Sequence, residues 1–145
     1  MVDIYEKKKR SQIMSKIFAS ETTPEILVRK YIFSKGFRFR KNLKSLPGKP
    51  DIVLPKYKTI ILVHGCFWHG HKKCKASTLP TTRREFWKEK IDGNIKRDIK
   101  NIKRLRKLGW MVIIVWQCKL KNTKVRQRTL SKLEEKIKSN FEKKN

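Results

Sequence analysis

The sequence is poor in acidic residues and has no long apolar run. Its 145 residues include 12 Asp and Glu against 39 Lys and Arg, so the formal net charge is +27. No apolar stretch approaches the roughly 18 residues that a transmembrane helix needs. The opening segment MVDIYEKKKR also lacks the hydrophobic region of a signal peptide. We therefore expect a soluble intracellular protein with no membrane partner.

Cysteine is scarce as well. The chain has three cysteines, and this odd number argues against the disulfide framework of a small secreted protein. The thiolates are therefore available as metal ligands. Hydrophobic residues make up 38% of the chain and cluster in runs such as TIILVHG and WMVIIVW, which favours a folded domain over disorder. A chain of this length suits one domain with a single apolar core.

Basic residues exceed acidic ones in every part of the chain. The excess is between 5 and 9 in each of the stretches 1–49, 50–83, 84–120 and 121–145. A disordered basic tail would concentrate the charge at one end, so the folded body itself is predicted to be positive. This distribution is typical of a protein that lies along a nucleic acid. A solvated lysine-rich surface is the alternative, but it does not explain why acidic residues are scarce.

Hydrophobic periodicity and helix-capping residues predict an α/β domain. Pro24, in a first turn after Thr22 and Thr23, begins a helix that Gly36 ends. The almost wholly apolar run 59–63 predicts a central strand. The other predicted elements are a short helix over 11–20, strands over 37–42, 51–54 and 110–116, a long helix over 84–108 and a basic helix over 124–141. The order α-α-β-β-β-α-β-α predicts a mixed central sheet flanked by helices.

Several motifs are shared with one enzyme family. They are LPGKPDIVLPKYKTIILVHGCFWHGH (46–71), TRREFWKEKI (82–91), N-x2-RD (94–98) and LGWMVIIVWQC (108–118). From near Gln12 to about Leu120 the chain resembles the very-short-patch repair (Vsr) DNA mismatch endonucleases, and the octapeptide 64–71 is a highly specific signal. The resemblance implies a restriction-endonuclease-like core and Mg²⁺-dependent nicking of one DNA strand 5′ to the T of a T·G mispair. Such mispairs arise by deamination of 5-methylcytosine.

A cleavage centre is predicted around Asp51, which begins a predicted strand. Asp51 is the only carboxylate between Glu25 and Glu85, and phosphodiester cleavage needs a divalent metal and a proton acceptor. Restriction-type nucleases place an acid and a Lys on the neighbouring strand, but residues 60–64 contain neither. The resemblance implies that the backbone carbonyl of Val63 is a second Mg²⁺ ligand. The alternative is that Asp51 is a simple turn residue.

Two histidines and one glutamate complete the predicted centre. A His has an unperturbed pKa of about 6.5 and can accept a proton at neutral pH. We assign His69 as the general base and His64 as the group that positions water or the scissile phosphate, with Glu25 acting through bound water. As alternatives, His64 is a core histidine with satisfied hydrogen bonds, and Glu25 only stabilises the helix dipole.

Four side chains with nitrogen or sulfur ligand atoms predict a structural zinc site: Cys66, His71, Cys74 and Cys118. Zinc bound there would hold the irregular stretch 64–83 to the edge of the sheet. In the resembled family one residue separates the His from the next Cys, whereas two residues separate His71 from Cys74. The alternative is that the three cysteines are small buried hydrophobic residues.

Adjacent aromatic residues on an exposed loop are unfavourable unless they stack on a partner. The resemblance implies that Phe67, Trp68 and Trp87 insert between base pairs next to the mispair, where a mismatched step is easier to unstack. Ordinary core packing is the alternative, above all for Trp87, which fits the apolar stripe of its helix. The resemblance implies three further DNA-contacting residues in the N-terminal helix: Met14, Ser15 and Lys16.

The sequence thus predicts a single domain over 1–145, with 1–22 as a DNA-contacting arm and 121–145 as a basic C-terminal helix. We expect a monomeric, nucleoid-associated DNA endonuclease of a prokaryotic cytoplasm. It would use catalytic Mg²⁺ and structural Zn²⁺ and meet repair-pathway proteins as further partners. Gln117 departs from the family, which usually has Glu there. The alternatives are a restriction-linked endonuclease with another target and a non-catalytic DNA-binding module with structural zinc.

Overall fold

The computed structural model describes residues 23–144, and the predicted arm with Met14, Ser15 and Lys16 lies outside them. The described part contains one four-stranded sheet and three α-helices. The helices are α1 (Thr23–Ser34), α2 (Arg84–Lys107) and α3 (Thr123–Lys144). The strands are β1 (Arg40–Lys41), β2 (Ile52–Leu54), β3 (Thr59–His64) and β4 (Met111–Trp116).

β3 lies inside the sheet, between β2 and β4, as its apolar sequence predicts. The strand order is β1-β2-β3-β4. β1 pairs with β2, and β2 with β3, in antiparallel orientation. β3 and β4 run parallel, with Thr59 opposite Met111 and His64 opposite Trp116. A parallel pair needs a crossover connection, which α2 supplies, so the carboxyl ends of β3 and β4 meet at one end of the sheet.

Successive β3 side chains point to opposite faces of the sheet, so both faces are apolar and helices cover both. Ile61 and Val63 pack in one buried cluster with α1 and α3, and Ile60 packs with α2 in another. The basic helix predicted over 124–141 corresponds to α3, which buries Leu130, Leu133 and Ile137. Within residues 23–144, no helix has both the length and the apolar character of a membrane span. Residues 23–144 form a single α/β domain with a mixed sheet between helices.

Two strands differ from their predictions. The strand predicted over 37–42 is reduced to the two residues of β1. Its partner β2 is only three residues long and is followed directly by Pro55, which cannot donate a ladder hydrogen bond. The strand predicted over 110–116 is β4, which begins at Met111, forms the edge of the described sheet and leaves Met111, Ile114 and Trp116 partly exposed.

Candidate active site and metal centre

A cleft of about 580 Å³ opens at the carboxyl end of β3. Its walls come from the start of α1, the turn before β2, the end of β3 and the middle of α2. The five residues predicted for the cleavage centre all line it: Glu25, Asp51, Val63, His64 and His69. The fold thus gathers side chains that are distant in sequence around one concave surface, the usual setting of an active site.

Asp51 directly precedes β2 and turns its carboxylate towards β3. The backbone N–H of Val63 donates to Asp51 Oδ2 at 2.8 Å. Burial raises the pKa of Asp51, while the Val63 hydrogen bond and the charges of His69 and Arg29 oppose this rise. A buried carboxylate that accepts one such bond can still bind a hard cation. The backbone of Val63 therefore lies directly beside the Asp51 carboxylate.

Glu25 lies in the first turn of α1 and forms a buried ion pair with Arg29. Arg29 Nη2 donates to Glu25 Oε2 at 2.9 Å, and both residues are buried. A separation of four residues places the two side chains on the same face of the helix. The pair therefore fixes the position of Glu25 in the wall of the cleft.

His64 ends β3 and packs its ring against the ring of His69. The two rings stack with 3.8 Å between their centroids and 3° between their planes. Burial first, and the charge of His69 second, lower the pKa of His64 to about 4. Within residues 23–144, no hydrogen-bond partner lies near the buried Nδ1 of His64. His64 is therefore neutral at pH 7 and lacks the satisfied hydrogen bonds of an ordinary core histidine.

Asp98 of α2, for which the sequence predicted no role, also lines the cleft. His69 Nδ1 lies 2.6 Å from Asp98 Oδ2. Because an ionised carboxylate only accepts hydrogen bonds, this contact places a proton on Nδ1 and leaves Nε2 free to accept one. A sequence signal was present: Asp98 lies seven residues after Ile91 and four before Ile102, both buried. An acid on that helix face needs a partner.

The four predicted zinc ligands form a second cluster. Their ligand atoms all lie within 4.8 Å of one another, and the residues are Cys66, His71, Cys74 and Cys118. Cys118 Sγ is 3.5 Å from His71 Nδ1. A tetrahedral zinc with bonds of about 2.0–2.3 Å spaces its ligand atoms by roughly 3.3–3.8 Å, so the donor set fits this ion. The extra residue before Cys74 is accommodated by a turn in which Lys73 has a φ of 57°.

The loop between the two sites is fixed on α2. The backbone N–H of His69 donates to Gly65 at 3.1 Å, and that of His71 donates to Cys66 at 3.0 Å. A Cβ on Gly70, whose φ is 58°, would lie 2.6 Å from a side-chain carbon of Ile95. Only glycine allows so close an approach in this conformation. The loop therefore presents His69 to the cleft from a rigid backbone.

The three predicted aromatic residues lie together at the rim of the cleft. The ring centroids of Phe67, Trp68 and Trp87 are 5.2–5.8 Å apart. Trp68 lines the cleft and is 49% exposed, and Asn94 Nδ2 donates to its backbone carbonyl at 2.9 Å. Phe86 was not predicted as part of this surface; its ring centroid lies 5.2 Å from that of Trp87, and the residue is 44% exposed. This exposed aromatic surface is suited to stacking on a planar partner.

The chain is similar to proteins of one nuclease family. The family model for the DNA mismatch endonuclease Vsr matches residues 2–76, just over half of the chain. The chain is 51% identical to the type II nicking enzyme V.NmeAIP of Neisseria meningitidis serogroup A, over 95% of this chain and 98% of that protein. It is 44% identical to the DNA mismatch endonuclease Vsr of Escherichia coli K12, over 83% and 77% of the two chains. The type II nicking enzyme V.XorIIP of Xanthomonas oryzae is 42% identical, over 83% of this chain and 88% of that protein. The chain therefore belongs to the Vsr family of DNA mismatch endonucleases, and it is a DNA endonuclease.

Proposed function

We propose that the protein is a Mg²⁺-dependent endonuclease that nicks one strand of duplex DNA 5′ to the T of a T·G mispair. This nick would begin very short patch repair of deaminated 5-methylcytosine. The supporting observation is that Asp51, the stacked His64 and His69, and Asp98 meet in one cleft beside the exposed ring of Trp68. We further propose that the mixed sheet with its helices is a restriction-endonuclease-like core.

The metal part of the proposal rests on Asp51 and Val63. The Asp51 carboxylate and the Val63 backbone carbonyl would hold the Mg²⁺, and Glu25 would act through bound water. When bound, the metal stabilises the negative charge that develops on the phosphate. Carboxylate and carbonyl oxygens are the ligands that Mg²⁺ prefers in proteins, which supports the choice of ion.

The proton chemistry is assigned to His69 and Asp98. A water oxygen bonds to phosphorus, the bond from phosphorus to one bridging oxygen breaks, and the departing oxygen takes a proton from solvent. His69 Nε2 accepts the proton of the attacking water, because Nδ1 is bonded to Asp98. The Asp98 carboxylate then stabilises the imidazolium, as in other His–Asp pairs. The neutral ring of His64 supports the ring of His69 and faces the water and the phosphate.

We propose that one structural Zn²⁺ binds the cluster of Cys66, His71, Cys74 and Cys118. Three thiols and one imidazole are a set that tetrahedral zinc prefers, and four protein ligands leave no open position for a substrate. The ion would tie the loop after β3 to the end of β4, where Cys118 follows the strand. Its role would be to hold the catalytic histidines in place.

Mismatch recognition is assigned to the aromatic rim. Phe67, Trp68 and Trp87 would insert beside the mispair, and the partly exposed Phe86 extends the same surface. Unstacking costs less at a mispaired step than at a matched one, so insertion favours the mismatch. Met14, Ser15 and Lys16 remain proposed DNA contacts from the opposite side.

A second candidate function is nicking linked to a restriction–modification system. The relatives from Neisseria meningitidis and Xanthomonas oryzae are both named type II nicking enzymes. The same cleft chemistry would operate, but the flanking sequence of the target would match that of a companion methyltransferase.

Nicking of defined duplexes tests the proposal. Oligonucleotide duplexes that differ in one pair (T·G, T·A or C·G) are placed in several flanking contexts, and single-turnover rates are measured with and without Mg²⁺. We expect Mg²⁺-dependent nicking at T·G that is roughly tenfold or more faster than at matched pairs, the scale of a one-pair difference. Equal rates on matched and mismatched duplexes would end the T·G assignment. Nicking confined to one flanking sequence would favour the second candidate.

A further inference from the structure

The cleft differs in charge from the rest of the molecule. Three carboxylates line it, those of Glu25, Asp51 and Asp98, although the chain has 12 acidic residues against 39 basic ones. Among the described residues that line the cleft, Lys49 is the only Lys or Arg. Carboxylates attract a divalent metal ion but repel a phosphate. A single lysine among them can offset this repulsion.

No Lys or Arg of the described sheet lines the cleft. The β3 residues that line the cleft are Leu62, Val63 and His64. None of these three residues is a Lys or an Arg. A cation that faces the phosphate must therefore come from another wall, and Lys49 stands on the wall formed by the turn before β2.

The backbone of Lys49 is held in an unfavourable conformation. Its φ is 47°, in the left-handed region that residues with a side chain rarely adopt. The Lys49 N–H donates to the Leu46 carbonyl at 3.2 Å and closes the turn, and the next residue, Pro50, is fully buried. Glycine would adopt this conformation more easily. Backbone strain of this kind concentrates at functional sites.

The turn is also fixed against α2. A Cβ on Gly48, whose φ is 76°, would lie 2.8 Å from Asn101 Nδ2. Glycine at this position therefore lets the turn pack directly on the Asn101 side chain, which is itself part of the cleft wall. The turn therefore holds the Lys49 backbone at a fixed place in the cleft wall, two residues before Asp51 and on the same cleft as Asp98 of α2.

We propose that Lys49 is a catalytic residue: its ammonium group contacts a non-bridging oxygen of the scissile phosphate and stabilises the charge that develops there. The proposal rests on the proposed phosphodiester cleavage in this cleft. Lys49 neither gives nor takes a proton in the reaction, and it keeps its charge throughout. Its side chain is exposed in the free protein, so the ammonium group is accessible to a phosphate that enters the cleft.

Three variants separate this role from a structural one. Lys49→Gly removes the charge and also relieves the left-handed backbone, so we expect a thermal midpoint no lower than that of the wild type. Lys49→Arg keeps a cation. Lys44→Ala is the matched control, because Lys44 is an exposed lysine of the same connection that does not line the cleft. At saturating enzyme we expect Lys49→Gly to nick about 10²-fold more slowly than the control, with partial recovery in Lys49→Arg.

Phosphorothioate substrates provide the specific readout. A single sulfur replaces either non-bridging oxygen of the scissile phosphate, and each diastereomer is tested separately. If Lys49 contacts one oxygen, the loss caused by Lys49→Gly is smaller on the diastereomer with sulfur at that oxygen, because sulfur accepts hydrogen bonds weakly. An equal loss on all three substrates, or a Lys49→Gly rate within about threefold of the Lys44→Ala rate, would overturn the proposal.

The comparison uses the duplex that the wild type nicks fastest, whichever pair it contains. A failure of the T·G preference therefore leaves the test of Lys49 intact. Conversely, full activity of the Lys49→Gly variant would overturn the proposal for Lys49 without affecting the proposed preference for the T·G mispair.

Discussion

The cleft at Asp51 and the Cys/His cluster present opposite ligand chemistry, although they share one loop. The cleft offers carboxylates and imidazoles, whereas the cluster offers three thiols and one imidazole. Oxygen ligands suit Mg²⁺, and thiolates suit zinc. His69 of the loop faces the cleft, and His71, two residues later, faces the cluster. Two histidines separated by one residue therefore lie at different sites, His69 beside carboxylates and His71 beside thiols.

The two regions also differ in openness. The cluster brings four candidate ligand atoms within 4.8 Å of one another, whereas the cleft offers a space of about 580 Å³. Damage to the cluster should therefore remove stability and activity together, and damage to the cleft should remove activity alone. Four changes test this contrast, and they follow in order of decreasing expected effect on nicking at neutral pH.

Loss of one cluster ligand should have the largest effect. We expect Cys118→Ser to lose bound zinc, to lower the thermal midpoint by roughly 10 °C or more, and to abolish nicking. Elemental analysis, thermal unfolding and the nicking assay measure the three outcomes. Lys119→Ser, at the exposed neighbouring position, is the control and should change none of them. Wild-type protein without one equivalent of zinc would contradict this account of the cluster.

Loss of the proposed base should affect activity alone. We expect His69→Ala to lower the single-turnover rate by about 10²–10⁴-fold and Asp98→Asn to lower it less, with little change in thermal midpoint. Asp92→Asn, an exposed acid on the same helix, serves as the matched control. If Asp98→Asn nicks as fast as Asp92→Asn, the hydrogen bond from His69 to Asp98 has no catalytic role.

Loss of the exposed ring should weaken DNA binding. We expect Trp68→Ala to lower affinity for a T·G duplex by about 1–3 kcal/mol, the scale of one base–aromatic stack. Fluorescence anisotropy with labelled duplexes measures the change. Phe33→Ala is the control, because Phe33 is 57% exposed but does not line the cleft. Equal affinities of the two variants would remove Trp68 from the DNA surface.

The smallest effect concerns the pH dependence of stability. The pKa of His64 is lowered from 6.5 to about 4 in the fold. The unfolded chain therefore binds a proton at His64 below about pH 6.5 and the folded chain does not, so the fold loses up to ~3 kcal/mol as the pH falls towards 4. The raised pKa of Asp51 acts in the opposite direction.

Comparison with His64→Gln isolates the contribution of His64, because Asp51 and the cluster titrate in both proteins. Urea unfolding at pH 7 and pH 5 should show a steeper loss of unfolding free energy in the wild type than in the variant. Parallel losses in the two proteins would show that His64 is not held neutral by the fold.

Local patterns were sufficient to predict most elements of the fold. The helix limits at Thr23, Arg84 and Lys107 follow from capping residues and apolar periodicity, and all three are confirmed within one or two residues. The central place of β3 follows from its unbroken apolar run. The octapeptide 64–71 and Asp51 similarly indicated both candidate sites. The structure brings those residues together, and their roles remain predictions.

The features that the sequence did not predict depend on contacts between segments that are distant along the chain. Asp98 contacts His69 only because α2 packs against the loop that carries His69, and the sequence does not show this packing. Lys49 is distinguished by the charge of its surroundings and by a left-handed turn, and neither is visible in a chain with 39 basic residues. The shortness of β1 likewise reflects the three-residue length of its partner β2. Periodicity along one segment carries no information about such pairings.

Substitution of Asp51 by Asn tests whether the cleft cleaves DNA with Mg²⁺, because it removes the charge proposed to bind the metal and keeps the size of the side chain. Single-turnover nicking of the best duplex is measured for wild type, Asp51→Asn and the control Asp92→Asn over a wide range of Mg²⁺ concentrations. We predict a loss of at least ~10²-fold for Asp51→Asn at every concentration. The thermal midpoint should not fall, since burial of the carboxylate already disfavours its charge. An Asp51→Asn variant that nicks within a few-fold of the wild type would contradict the account.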